Sequence, residues 1–175
     1  MRWSHHGRWI AVLATLGLLS SLISHVFAFW VLSNADANWV QLDIAPLQMG
    51  VDAFAGSVDG KRYGGLAAAL MLLGSVLLWA SFIRLGLAVQ RATGFGRHLD
   101  GAFRGIALAL LVFLISRVLA AAVLFLAREQ LAPGMGVNIA EGMLLPWVLA
   151  VCVAWMVAKL LAEASRVDAE NRSFV

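Results

Sequence analysis

An arginine, Arg117, stands near the middle of an otherwise apolar run from Gly105 to Ala127. A charged residue at the centre of a membrane helix costs about 2.5–3.5 kcal/mol on insertion scales, and it is ordinarily turned inward to a partner or to water. The side chains that could meet its guanidinium are His25, the hydroxyls of Ser20, Ser21, Ser24 and Ser116, and Glu141 if the following helix begins deep enough. In that company Arg117 could form an anion or proton site. The plainer reading, and the favoured one, is an arginine that snorkels toward the outer interface, bonds carbonyls and fixes helix packing.

His25 could titrate near neutral pH or ligate haem through a ring nitrogen. Haem-binding bundles pair histidines across helices, yet His5 and His6 belong to the N-terminal arm and His98 to a connection between runs. One chain therefore cannot supply an intramembrane bis-histidine site, and a ligand shared across a homodimer is the version left. A hydrogen-bonded packing histidine is the favoured reading. His5 and His6 are adjacent on an arm and supply too few fixed ligands for a metal. The lone cysteine, Cys152, rules out an intramolecular disulfide and any Cys-x-x-Cys metal spacing. Carboxylates are absent from the interior of every apolar run, whereas proton-coupled carriers need a titratable acid at membrane depth. The expectation is a non-enzymatic protein without cofactor or metal.

The elements that must position these residues are four apolar runs: Trp9 to Leu32, Gly64 to Ile83, Gly105 to Ala127 and Met143 to Leu161. A helix of about 20 apolar residues crosses the hydrocarbon core of a bilayer. Hydrophobic residues make up 62% of the 175 and charged ones 13%, too oily a balance for a water-soluble fold. We therefore expect an all-α polytopic membrane protein, four transmembrane helices in an up-down bundle, as a single domain. Arg2, Arg8 and the small-x-small triplet Ala35-Asp36-Ala37 give the first run the outline of a signal peptide. Its apolar core is longer than the roughly 7–15 residues of such a segment, so a retained helix is expected.

Basic residues cluster on one set of connections. Arg2 and Arg8 lie at the N-terminus, Arg84, Arg91, Arg97 and Arg104 between the second and third runs, and Lys159, Arg166 and Arg172 in the tail. The other side has Lys61, Arg62 and Arg128 among six acids. Cytoplasmic segments retain Lys and Arg, so both termini are expected in the cytoplasm. The net charge of +3 then expresses orientation and an affinity for anionic lipid headgroups of the bilayer, with no direct nucleic-acid binding. Trp9, Trp30, Trp79 and Trp147 fall near run ends, where indoles anchor at headgroups, while Trp155 is deeper and reads as packing.

The outer loop, 33–62, alternates over Val40 to Ile44 before Pro46, and should be partly ordered with Trp39, Leu47, Met49 and Phe54 on the membrane surface. In the inner connection, 84–104, the step Gly94-Phe95-Gly96 divides a second helix ending near Ala92 from a third beginning near Leu99. The tail, 162–175, should extend the fourth helix into the cytoplasm. Small-xxx-small spacings at Gly60 to Gly64, Gly64 to Ala68, Gly101 to Gly105 and Ser116 to Ala120 would permit close helix approach, although in a chain this rich in alanine and glycine most such matches arise by chance.

Two cytoplasmic segments carry a family resemblance. Phe82-Ile83-Arg84-Leu85, Thr93-Gly94-Phe95-Gly96 and Leu99-Asp100-Gly101-Ala102-Phe103-Arg104-Gly105-Ile106 form the first, and the ending Glu163 to Val175 the second. Together they resemble the small four-span inner-membrane proteins of bacteria grouped under a domain of unknown function, some encoded beside a short helix-turn-helix regulator. The turn departs from the family's usual pattern, having Gly-Phe-Gly-Arg-His. The resemblance implies a bacterial inner-membrane location and a scaffolding, sensing or regulatory role. A cytoplasmic regulatory protein would then dock on Arg84, Arg91, Phe95, Arg97, Glu163, Glu170, Asn171 and Phe174. The rival reading is a component of a small oligomeric transporter or channel, assembled as a homo-oligomer, that uses intramembrane Arg117.

Overall fold

The computed structural model describes residues 4–33, 41–44, 47–50, 58–91, 97–127, 138–139 and 144–173. Four helices carry the fold: α1 (Ser4–Ser33), α2 (Val58–Arg91), α3 (Arg97–Leu126) and α4 (Leu144–Ser173). Each contains a stretch long and apolar enough to cross a membrane, namely His5–Phe27, Arg62–Arg91, Leu99–Leu126 and Leu145–Val167. The class is all-α and the chain is a multi-pass membrane protein. Three short strands sit outside the helices: β1 (Gln41–Ile44), β2 (Leu47–Gly50) and β3 (Asn138–Ile139). They form an antiparallel ribbon in the order β1-β2-β3, pairing Leu42 with Met49 and Leu47 with Ile139. The alternation around Leu42 thus becomes a strand, and the ribbon ties the α1–α2 connection to the α3–α4 connection. Trp39 and Phe54 lie outside the described residues.

The helix ends follow local chemistry. α2 stops at Arg91, two residues before Thr93-Gly94, and α3 opens at Arg97 with Asp100 in its first turn, where a carboxylate suits the positive end of the helix dipole. Asp100 also accepts a hydrogen bond from Arg104 Nε at 2.9 Å, one turn on. α2 begins at Val58, within the stretch expected to be outer loop, so the helix starts six residues before the apolar run that opens at Gly64.

Successive helices pack, α1 on α2, α2 on α3 and α3 on α4, and no α1–α4 interface of comparable extent is present among the described residues. The registers are antiparallel. Gly7 meets Gln90 and Gly86, and Gly17 meets the Trp79 indole. Gly74 meets Phe113 and Ser116, and the Phe113 and Trp147 rings stand 5.1 Å apart. The central cluster draws Leu78 and Leu85 from α2 and Ala102, Ile106, Ala109, Leu110 and Phe113 from α3, with Trp147, Val151 and Ala154 of α4 packed against it. The N-terminus of α1, the α2–α3 turn and the C-terminus of α4 consequently share one end of the bundle. α1 and α4, each packed mainly on one neighbour, turn most of their apolar side chains outward, as in Ile23 at 69% and Leu160 at 67% exposure. In a bilayer that surface faces acyl chains, which are as apolar as leucine.

One glycine spacing is a chance match, and one expectation about packing is corrected. Gly101 and Gly105 stand four apart on α3, yet a Cβ added at either would meet nothing within 4 Å, so that pair faces open space. Trp155 is 46% exposed and is no interior packing residue. It flanks the inner side of α4, which is occupied by Val151, Ala154 and Ala158.

Candidate functional site

Arg117 extends from α3 toward α2. Its Nη1 donates to the Met71 sulfur at 3.2 Å and its Nη2 to Ser75 Oγ at 3.3 Å, and the guanidinium carbon lies 4.8 Å from the centroid of the Phe113 ring. Met71 and Ser75 are themselves buried. Nε is shielded from solvent and has no hydrogen-bond partner among the described residues. The cation is thus held by a soft thioether, a long hydroxyl contact and a ring face, each weaker than a carboxylate fork. Phe113 in turn packs against Trp147 in the first turn of α4, so one run of contacts links α2, α3 and α4 at this depth.

None of the described partners named from the sequence reaches the guanidinium. His25 Nδ1 lies 2.7 Å from the carbonyl of Ser21 on its own helix, and α1 is separated from α3 by α2. His25 is therefore bonded within α1. Ser116 is buried, but its Oγ donates back to the Phe113 carbonyl at 2.8 Å, the habit of hydroxyls in apolar helices. Ser20 and Ser24 are exposed on α1, and Glu141 lies outside the described residues. α4 does start deep: Trp147 meets Phe113, Val151 and Ala154 join the cluster around Ile106 and Ala109, and the same register puts Leu144 level with Arg117.

Met71, Ser75 and Phe113 were missed as partners although a signal existed. A hairpin folded about Gly94-Phe95-Gly96 brings residues equally distant from the turn opposite one another, and Arg117 and Met71 satisfy that condition. Ser75 is one helical turn further on, on the same face.

Ser116 has a second role. A Cβ on Gly74 would overlap Ser116 Oγ and lie 3.2 Å from Phe113 Cα, so α2 and α3 approach through this glycine. Gly74→Ala is expected to destabilise the bundle by about 1–2 kcal/mol through overpacking. Ser116→Ala removes the overlapping oxygen and should restore most of that loss, leaving a coupling energy of about 1 kcal/mol in a double-mutant cycle measured by SDS titration of helicity. Additive losses would show that the helices do not meet there.

The residues expected to dock a partner fall in two places. Arg84 and Arg91 are exposed on α2, and Arg97 opens α3. Glu163 and Glu170 flank Arg166 on α4, with Arg166 Nη2 to Glu163 Oε1 at 2.6 Å and Arg166 Nε to Glu170 Oε1 at 3.7 Å. Asn171 is in the last turn of α4, and Phe95 and Phe174 lie outside the described residues.

Chemically, the arrangement offers a fixed cation that can only donate hydrogen bonds. No group of three metal-ligating side chains occurs among the described residues, and the single cysteine is exposed on α4. No family model matches the chain, and neither a curated protein nor a solved structure is similar to it.

Proposed function

We propose that the chain is a non-enzymatic multi-pass protein of the bacterial inner membrane, with both termini in the cytoplasm, that acts as a scaffold or regulator by docking a cytoplasmic protein on the end of α4. The supporting observation is the form of that end. The apolar stretch of α4 stops at Val167, whereas the helix runs on to Ser173, and Glu163, Arg166 and Glu170 are at least 59% exposed along it. At about 1.5 Å per residue, Glu163 to Ser173 makes a rod of roughly 15 Å. A preformed, charged helix binds without the ordering cost of a disordered tail. The cation-rich connections favour the cytoplasmic orientation, and the motifs resembling the four-span family lie at this same end.

The test is co-purification of a cytoplasmic protein with the full chain and with a chain lacking residues 163–175. The same protein should be held by the first and lost from the second, while both insert and elute alike. Arg166→Glu, which leaves three acids in a row on one helix face, should weaken capture at least tenfold. Undiminished binding by the truncated chain would refute the site.

A second reading, an oligomeric transporter or channel that uses Arg117, is favoured by a cation at membrane depth whose Nε has no partner among the described residues.

A further inference from the structure

The exposed residues of α2 from 62 to 91 recur at steps of three and four without exception, so this helix presents one continuous outward stripe. Its ends are arginines. Arg62 stands at one, Arg84 and Arg91 at the other, and Leu66, Leu73 and Leu77 lie between. At about 1.5 Å per residue Arg62 and Arg84 are roughly 33 Å apart, close to the thickness of a hydrocarbon core. Arg84 thus stands at the headgroup level, with Arg91 about 10 Å beyond it.

The α1–α2 crossing adds a third cation to this face. Gly7 touches the backbone of Gln90, with an added Cβ only 2.5 Å from its nitrogen, so two helix backbones are in contact there. Arg8 follows Gly7 and Arg91 follows Gln90. In an antiparallel pair, successors of facing residues step to the same side of the seam, which places Arg8 beside the arginine stripe. The same geometry works on the other flank. Arg84 precedes Leu85 and Gly101 precedes Ala102, and Leu85 and Ala102 belong to one core cluster. Gly101 and Gly105, beside which nothing stands within 4 Å, therefore leave the α3 surface next to Arg84 open. Arg8, Arg84 and Arg91 are all exposed and form no ion pair among the described residues, unlike Arg104 and Arg166.

We propose that this face is a site for an anionic glycerophospholipid, whose phosphodiester headgroup is held by Arg8, Arg84 and Arg91 over the open glycines of α3, and whose acyl chains lie along Leu73 and Leu77. Three guanidinium groups with no ion pair among the described residues, on long side chains and within about 10 Å of one another along the helix axis, suit a phosphate, since each presents a planar fork of donors. The apolar stripe below them distinguishes a lipid from a free anion. This site does not depend on any cytoplasmic protein.

The experiment is native mass spectrometry of the full chain released from nanodiscs of equal parts phosphatidylglycerol and phosphatidylcholine. The wild type should retain phosphatidylglycerol in preference. At about 1 kcal/mol for each arginine near the surface, Arg8→Gln, Arg84→Gln and Arg91→Gln should each weaken retention about fivefold, and all three together roughly a hundredfold. The triple lysine variant, which keeps the charge, should retain most of it, and Arg62→Gln should change nothing. Should the triple glutamine variant fail to fold, the single variants read the same effect. Equal retention of the two lipids by the wild type would overturn the proposal. So would undiminished phosphatidylglycerol on the glutamine variants, or displacement of the lipid by an equal concentration of soluble glycerol phosphate.

Discussion

Gly86→Val is expected to detach α1 from the other three helices. A Cβ at Gly86 would stand 2.6 Å from the Ala11 nitrogen and 2.8 Å from the Gly7 carbonyl oxygen, and both are backbone atoms that no rotamer change can move. Overpacking of this kind costs about 2–3 kcal/mol where the surroundings cannot yield. Among the described residues α1 has no second substantial interface to hold it, and most of its other apolar side chains face outward. In a bilayer no hydrophobic force draws it back, because a lipid chain satisfies its apolar surface as well as a helix does. Unfolding in mixed micelles, followed by circular dichroism against SDS fraction, should show an early transition for Gly86→Val that the wild type lacks. Gly105→Ala serves as the contrast: its added methyl meets open space, and losing a glycine in a helix interior should leave stability unchanged or raise it by about 0.5–1 kcal/mol. Equal behaviour of the two variants would remove the close crossing from the structure.

That contrast also marks what could be read in advance. The four spans were legible because a bilayer turns length and apolarity into helices almost by arithmetic, and residues 92–96 between α2 and α3 fall on the Gly94-Phe95-Gly96 step. Which glycines hold the helices together was not legible. Gly101 and Gly105 have the favoured spacing and touch nothing, while Gly7 and Gly86 belong to different helices and meet only because the α1–α2 crossing brings them level. Among 16 glycines, spacing along one helix cannot report a crossing point between two. Trp155 misled for a related reason: depth in a span does not say whether a side chain faces a neighbouring helix or lipid. The arginine's depth was evident, yet its partners were sought by chemical type among serines, a histidine and a glutamate. The hairpin register, which depends only on the position of the turn, points to Met71 and Ser75 instead.

Those partners fix what Arg117 contributes. A guanidinium at this depth carries an insertion cost of about 2.5–3.5 kcal/mol. A thioether at 3.2 Å and a hydroxyl at 3.3 Å offset only part of it, because neither is charged, and Nε has no partner among the described residues. The Phe113 face adds about 1–2 kcal/mol of cation–π attraction in a desolvated setting. Arg117→Met retains a long unbranched side chain for the space between Met71 and Phe113 and removes the charge. It is expected to stabilise the bundle by about 1–2 kcal/mol, read as a later SDS midpoint. A loss of stability would mean that the guanidinium holds an oppositely charged partner in the native protein. The two readings of the residue then separate cleanly. If Arg117 only packs, Arg117→Met improves folded yield and leaves every activity intact. If it attracts an anion through an oligomeric pore, the same variant and Arg117→Gln abolish anion uptake into reconstituted vesicles while the protein folds better than before. A charge kept at a net cost to stability, and lost together with transport, is the signature that would raise the transporter reading above the scaffold.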